Sequence, residues 1–284
     1  GRFIYARPNF NNTENTLFTS LKSSTTDLLT DSGYKTSELG FSLGTKFEQF
    51  QNIFLSPELD FLIEDLETSS KASNTLKKQE GSYTDLYFNY SINQDLRDKR
   101  FRTESGYQTF FTQELPIISD NSEFANAFEI SAFKKLSTRS DTVGKISFYV
   151  KTITGLSDDV RISKRLNVPS SKLRGFEKGK VGPVDNKDFV GGNHVTALNL
   201  SATLPNIIEG LDNLDVGVFL DAANVWGVDY DSSLDDKSTI RTSTGVAFNL
   251  LTPIGPLSFS FANALTKASS DKTESFRFRL GTQF

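Results

Sequence analysis

The chain contains no cysteine and no methionine, and it has a single histidine and a single tryptophan. Without cysteine there can be no disulfide, no thiol nucleophile and no cysteine-ligated metal, a composition that suits a compartment where a free thiol would be oxidised. Also missing is any run approaching the ~20 apolar residues that a membrane-spanning helix requires. The hydrophobic share, 37%, is low for a helical membrane protein. Excess positive charge is absent too. A net charge of -4 leaves no electrostatic footprint for nucleic acid. The chain opens at Gly1 with GRFIYARPNF, without an initiator methionine, a signal peptide or a polar lead-in, and this reads as a fragment or processed piece.

What the chain has instead is phenylalanine, 25 residues of it, arranged with a period of two. Leu39, Phe41 and Leu43 alternate with Glu38, Gly40 and Ser42, and Leu59, Phe61 and Ile63 with Glu58, Asp60 and Glu64. The same contrast recurs in Ile146, Phe148 and Val150, in Leu198, Leu200 and Leu204, and in Leu257, Phe259 and Phe261. The chain ends in ESFRFRLGTQF, where Phe276, Phe278, Leu280 and Phe284 share one parity and Arg277 and Arg279 the other. Period two is the signature of strands, and the pattern predicts about thirteen of them with hardly any helix. A soluble sandwich would use shorter strands and turn its polar face outward. Long strands with one almost uniformly apolar face, separated by hydrophilic spacers of uneven length, predict a transmembrane antiparallel β-barrel: lipid meets the phenylalanines and a wet lumen meets the arginines.

One stretch breaks the rhythm. Residues 155–194 carry no clean strand, yet hold Leu173, Phe176, Val181, Phe189 and Val190. A loop of that length is commonly functional, and this one has enough apolar surface to dock. Within it, SKLRGFEKGKVGP is followed by GGN and a strand, then by FLDAANVW (219–226), TPIGPLSFSFANAL (252–265) and the terminal strand ending at Phe284. In order and spacing these segments resemble the C-terminal barrel of the Omp85 superfamily over essentially the whole chain, 1–284. The resemblance implies an incomplete piece of a barrel of about sixteen strands, with GRFIYARPNF as the fourth strand and with the first strands and the periplasmic POTRA domains absent.

The resemblance further implies an outer-membrane factor that folds and inserts β-barrel proteins through a lateral seam. Its partners would be outer-membrane lipids, unfolded β-barrel clients and accessory assembly lipoproteins, with no cofactor and no metal. Omp85-type transporters, either two-partner secretion pores or autotransporter-assembly factors, share the fold and remain the alternative, and an unrelated porin shares only the alternation. In the family the loop arginine meets acidic residues of the inner wall. Arg174, Gly175 and Phe176 match that motif, Asp221 matches one inner-wall carboxylate, and Ser201 stands where the family has a second. Phe276, Phe278, Leu280 and Phe284 match the terminal signal read during insertion.

No residue is assigned to catalysis. His194 lacks an accompanying nucleophile or base. GFEKGKV (175–181) has the wrong glycine spacing for a phosphate loop and places Val181 where a hydroxyl must hold Mg²⁺. Asp229, Asp231, Asp235 and Asp236 place Leu234 where a calcium loop needs glycine, so they read as an acidic surface loop.

Overall fold

The computed structural model describes residues 1–137, 141–205, 210, 213–234, 239–252 and 255–280. Among them the alternating segments become strands: β1 (Arg2–Arg7), β2 (Thr16–Leu28), β3 (Tyr34–Phe50), β4 (Ile53–Thr68), β5 (Gly81–Asp95), β6 (Ser105–Ser119), β7 (Glu123–Lys135), β8 (Val143–Gly155), β9 (Val184–Asp185), β10 (Asp188–Phe189), β11 (His194–Pro205), β12 (Leu214–Trp226), β13 (Arg241–Thr252), β14 (Gly255–Thr266) and β15 (Phe276–Leu280). Thirteen make one antiparallel sheet in strict chain order, with β9 and β10 set apart as a small hairpin. Each wall strand pairs with its sequence neighbour because a hairpin is the cheapest way to close a loop. Between β3 and β4 two residues suffice, with Asn52 in the left-handed region at φ 62°.

The two faces carry opposite chemistries, as the alternation predicts. On β3, Leu39, Phe41 and Leu43 are exposed while Gly40, Ser42 and Gly44 are buried. Ile146, Phe148, Leu198, Leu200, Phe261, Phe276, Phe278 and Leu280 likewise stand outward. Inward, Ser20 and Ser42 share a hydrogen bond at 2.7 Å and Lys22 pairs with Glu38. A sheet that exposes phenylalanine and buries serine is inside out for water and correct for lipid. Its edges are β1 and β15, each paired on one side among the described residues. β1, expected as the fourth strand of the complete barrel, is six residues long and exposed on both faces.

Among the described residues α-helix is limited to one turn, Asn74–Lys77, capped by the Ser73 hydroxyl accepting from the Leu76 N–H, beside three short 3-10 turns. The segment between β8 and β11 folds inward. Val160, Leu173, Phe176 and Val181 pack against Val195 and Val225 of the wall, and Ile162 and Val190 pack with Tyr34, Leu66, Leu76 and Val228. The apolar core therefore lies inside the sheet's curve, where loop and wall residues both supply it. Loop bonds reach strands from β4 to β15, so the sheet curls around it.

Candidate functional site

Of the residues singled out from sequence, Arg174 and Asp221 are brought together. β12 turns Phe219, Asp221, Ala223 and Val225 inward and leaves Val218 and Leu220 exposed. Asp221 is fully buried, and Arg174 grips it in a two-pronged fork: Nε donates to Oδ2 at 2.7 Å and Nη2 to Oδ1 at 2.7 Å. The Arg174 backbone N–H adds a third bond to Oδ2 at 3.1 Å. Sequence reasoning missed Phe219, an inward-facing phenylalanine whose ring centroid lies 3.4 Å from the guanidinium carbon.

Ser201 does not fill the second partner's place. It is paired across the sheet with Phe219, whereas Asn199 lies opposite Asp221, and Asn199 Nδ2 donates to Asp221 Oδ1 at 2.9 Å and to the Lys172 carbonyl at 2.7 Å. Ser201 and Asn199 share a parity, so alternation alone could not choose between them. An amide thus does part of what a second carboxylate was expected to do.

Gly175 follows with φ 85°, and a Cβ there would sit 3.2 Å from the Ala262 Cβ and 3.3 Å from the Ser243 Cβ. Close approach and handedness both require glycine. Phe176, 2% exposed, then bridges in β fashion to Thr273 in the connection between β14 and β15. Around that bridge the Glu177 N–H donates to the Lys272 carbonyl, the Lys272 N–H to the Lys180 carbonyl, and the Glu274 N–H to the Gly175 carbonyl. Arg277 donates to the carbonyls of Ser170 and Phe176, and Arg279 to the carbonyl of Ser170. The inward arginines of the last strand, anticipated only as lumen-facing, hold the loop's main chain. The same connection is fixed to the wall by Asp271, which receives Nε and Nη2 of the fully buried Arg241 at 2.9 and 3.1 Å.

Two further arginines of the loop were not anticipated. Arg161 is completely buried, donating to Glu123 of β7 from Nε at 3.0 Å and to Asp85 of β5 from Nη2 at 2.6 Å, while its guanidinium carbon lies 4.4 Å from the centre of the Tyr83 ring. Arg165 pairs with Asp229, which also accepts from the Val160 N–H and Asn193 Nδ2, both at 2.9 Å. Burial works against the Asp229 charge, but these donors outweigh it and hold the carboxyl below the usual range. Asp229 is therefore a loop anchor rather than an idle surface acid. The signal available in the sequence was the pair of acids, Asp85 and Glu123, on strands whose inward residues are otherwise mostly neutral.

His194 stacks beside Trp226, ring centroids 5.5 Å apart. Lys180, within the rejected phosphate-loop stretch, pairs with Asp31. Phe276 and Phe278 face Phe261 and Phe259 across the β14–β15 pairing, each pair with centroids 5.1 Å apart. Phe284, Asp235 and Asp236 lie outside the described residues.

The Omp85 superfamily domain matches the chain over residues 1–284. Among curated proteins, the outer membrane protein assembly factor BamA of Neisseria meningitidis serogroup B is 33% identical over 141 residues, covering 39% of this chain and 17% of that protein. The protein of the same name from Neorickettsia risticii is 23% identical over 218 residues, 75% of this chain and 29% of that protein. The chain thus matches less than a third of the length of either relative. Among solved structures, BamA from Haemophilus ducreyi lacking POTRA domains 1–3 superposes with a TM-score of 0.82 at 21% identity, covering 98% of this chain and 60% of that one. CdiB from Acinetobacter baumannii superposes with a TM-score of 0.60 at 11% identity, covering 98% and 49%. At these identities the two structural likenesses speak for the fold alone.

Proposed function

The chain belongs to the Omp85 superfamily of outer-membrane β-barrels, and from that premise we propose that it is the barrel portion of an assembly factor that folds and inserts β-barrel clients. The supporting observation is the docked Arg-Gly-Phe loop, held by Asp221 and bonded to the last strand, in a chain whose curated relatives are named assembly factors. No bond chemistry is involved. A strand edge presents unpaired N–H and C=O groups, and such an edge templates pairing with an incoming strand. β15 would serve as the seam strand, offering that edge to a client while the surrounding lipid admits the growing sheet. Accessory lipoproteins belong to the same proposal.

An Omp85-type transporter, which would share the fold, is the second reading. Reconstitution separates them. Full-length protein in lipid vesicles should speed insertion of a urea-unfolded barrel protein, scored by its heat-modifiable mobility, and Arg174→Ala should slow that step. Export of a soluble passenger across the vesicle wall, with no gain in barrel insertion, would instead identify a transporter.

A further inference from the structure

The inner loop is held at its two ends by different kinds of bond. At the Arg161 end the partners are charged and sealed from water: Asp85, Glu123 and Arg161 are each 2% exposed or less. The adjoining backbone N–H of Ile162 donates to Gln79 Oε1 at 2.8 Å, and the Ser163 hydroxyl donates to Glu64 Oε1 at 2.5 Å. Those partners belong to β4, β5, β7 and the connection between β4 and β5. Pulling this end free would strand buried ions. At the other end, Arg277 and Arg279 are half-buried and hold neutral main-chain carbonyls, and the Arg174 side chain keeps 20% of its exposure. Water can reach these arginines as their bonds break, and Asp221, itself sealed, keeps the Asn199 amide when Arg174 leaves.

The last strand has few other holds. β15 spans five residues and is paired only by β14 among the described residues. Its outward phenylalanines meet β14 in lipid, where apolar contact gives little net attraction. Four loop-to-strand bonds from Arg277 and Arg279 are therefore a large part of what fixes it.

We infer that the loop is a strut hinged at Arg161 and latched at its Arg-Gly-Phe end, and that Arg277 and Arg279 are positioning residues through which the latch sets the order of the last strand. The arginines grip chiefly main-chain oxygens, with one bond from Arg279 to the Ser170 hydroxyl at 3.3 Å, so the coupling depends little on the loop side chains at 170 and 176. Its use in client insertion rests on the assembly reading, but the coupling itself does not.

Hydrogen exchange on the full-length protein in lipid nanodiscs tests it, in the Arg277→Lys/Arg279→Lys double variant, which keeps charge and loses the fork, and in Asp221→Asn, which weakens the latch from the wall side. Heat-modifiable mobility first establishes that each variant is folded. Both variants should exchange about ten-fold faster at 170–180 and at 276–280, with 160–166 as protected as in the unaltered protein. Unchanged exchange at 276–280 while 170–180 opens would overturn the coupling, as would no opening at all. Loosening of 160–166 in step with the latch would overturn the hinge. Vesicle insertion assays on the same samples keep the two readings apart: an unaltered protein that inserts no client removes the assembly reading and leaves the exchange result standing.

Discussion

Arg161 and Arg174 differ in what their loss leaves behind. Replacing Arg161 with alanine strands Asp85 and Glu123, both sealed from water, without their cation. The cost should be about 3–5 kcal/mol in denaturant titration of the folded barrel. Arg174→Ala should cost less, because one sealed carboxylate rather than two loses its cation and Asn199 still donates to it, and a double-mutant cycle with Asp221→Ala should return a coupling of about 0.5–3 kcal/mol. Asp229 adds a pH dependence of known sign. Its folded carboxyl titrates below the ordinary value of about 4, so its contribution is complete above that value and is lost as pH falls through the lower folded one. Protection of 160–166 should therefore stay level from neutral pH to about 5 and decline only below about 4. The Arg174–Asp221 pair was legible from a motif and a parity. Arg161 was not, because nothing local marks which loop arginine finds a carboxylate 76 residues earlier. Nor could alternation separate Asn199 from Ser201, which differ by one step of register on the same face.

Period two made the strands legible, since parity is a property of neighbouring residues and survives whatever the tertiary context. It yielded the thirteen wall strands and their lipid face. Parity also turns Phe219 and Tyr87 inward, but it could not show the polar errand each has there: the Phe219 ring lies against Arg174, and the Tyr87 hydroxyl donates to Glu123 at 2.9 Å. The interior of the loop was illegible for the opposite reason, its conformation being set by distant partners rather than by its own pattern. The lipid face itself can be tested on one strand. Phe61→Arg on the outer face of β4 should cost about 2–4 kcal/mol if it lies near the bilayer midplane, and Glu58→Arg on the inner face much less. Equal losses in vesicle-based titrations would remove the assignment of faces.

For the whole molecule, the loop's partners straddle it in the chain. It reaches back to Asp85 and Glu123 and forward to Asp221, Arg277 and Arg279, with Arg277 lying 107 residues beyond the Ser170 carbonyl it holds. Contacts between such distant residues form late, since the intervening chain must be ordered first. If the hairpins pair in the order in which they are synthesised, the hinge can set once Asp229 has followed the loop, whereas the latch must wait for β15. A chain halted before Arg277 should accordingly leave 170–180 open to protease while 160–166 resists, and completing the last strand should close it. The fold thereby keeps its own clock: the inner loop comes to rest only when β15 is in place.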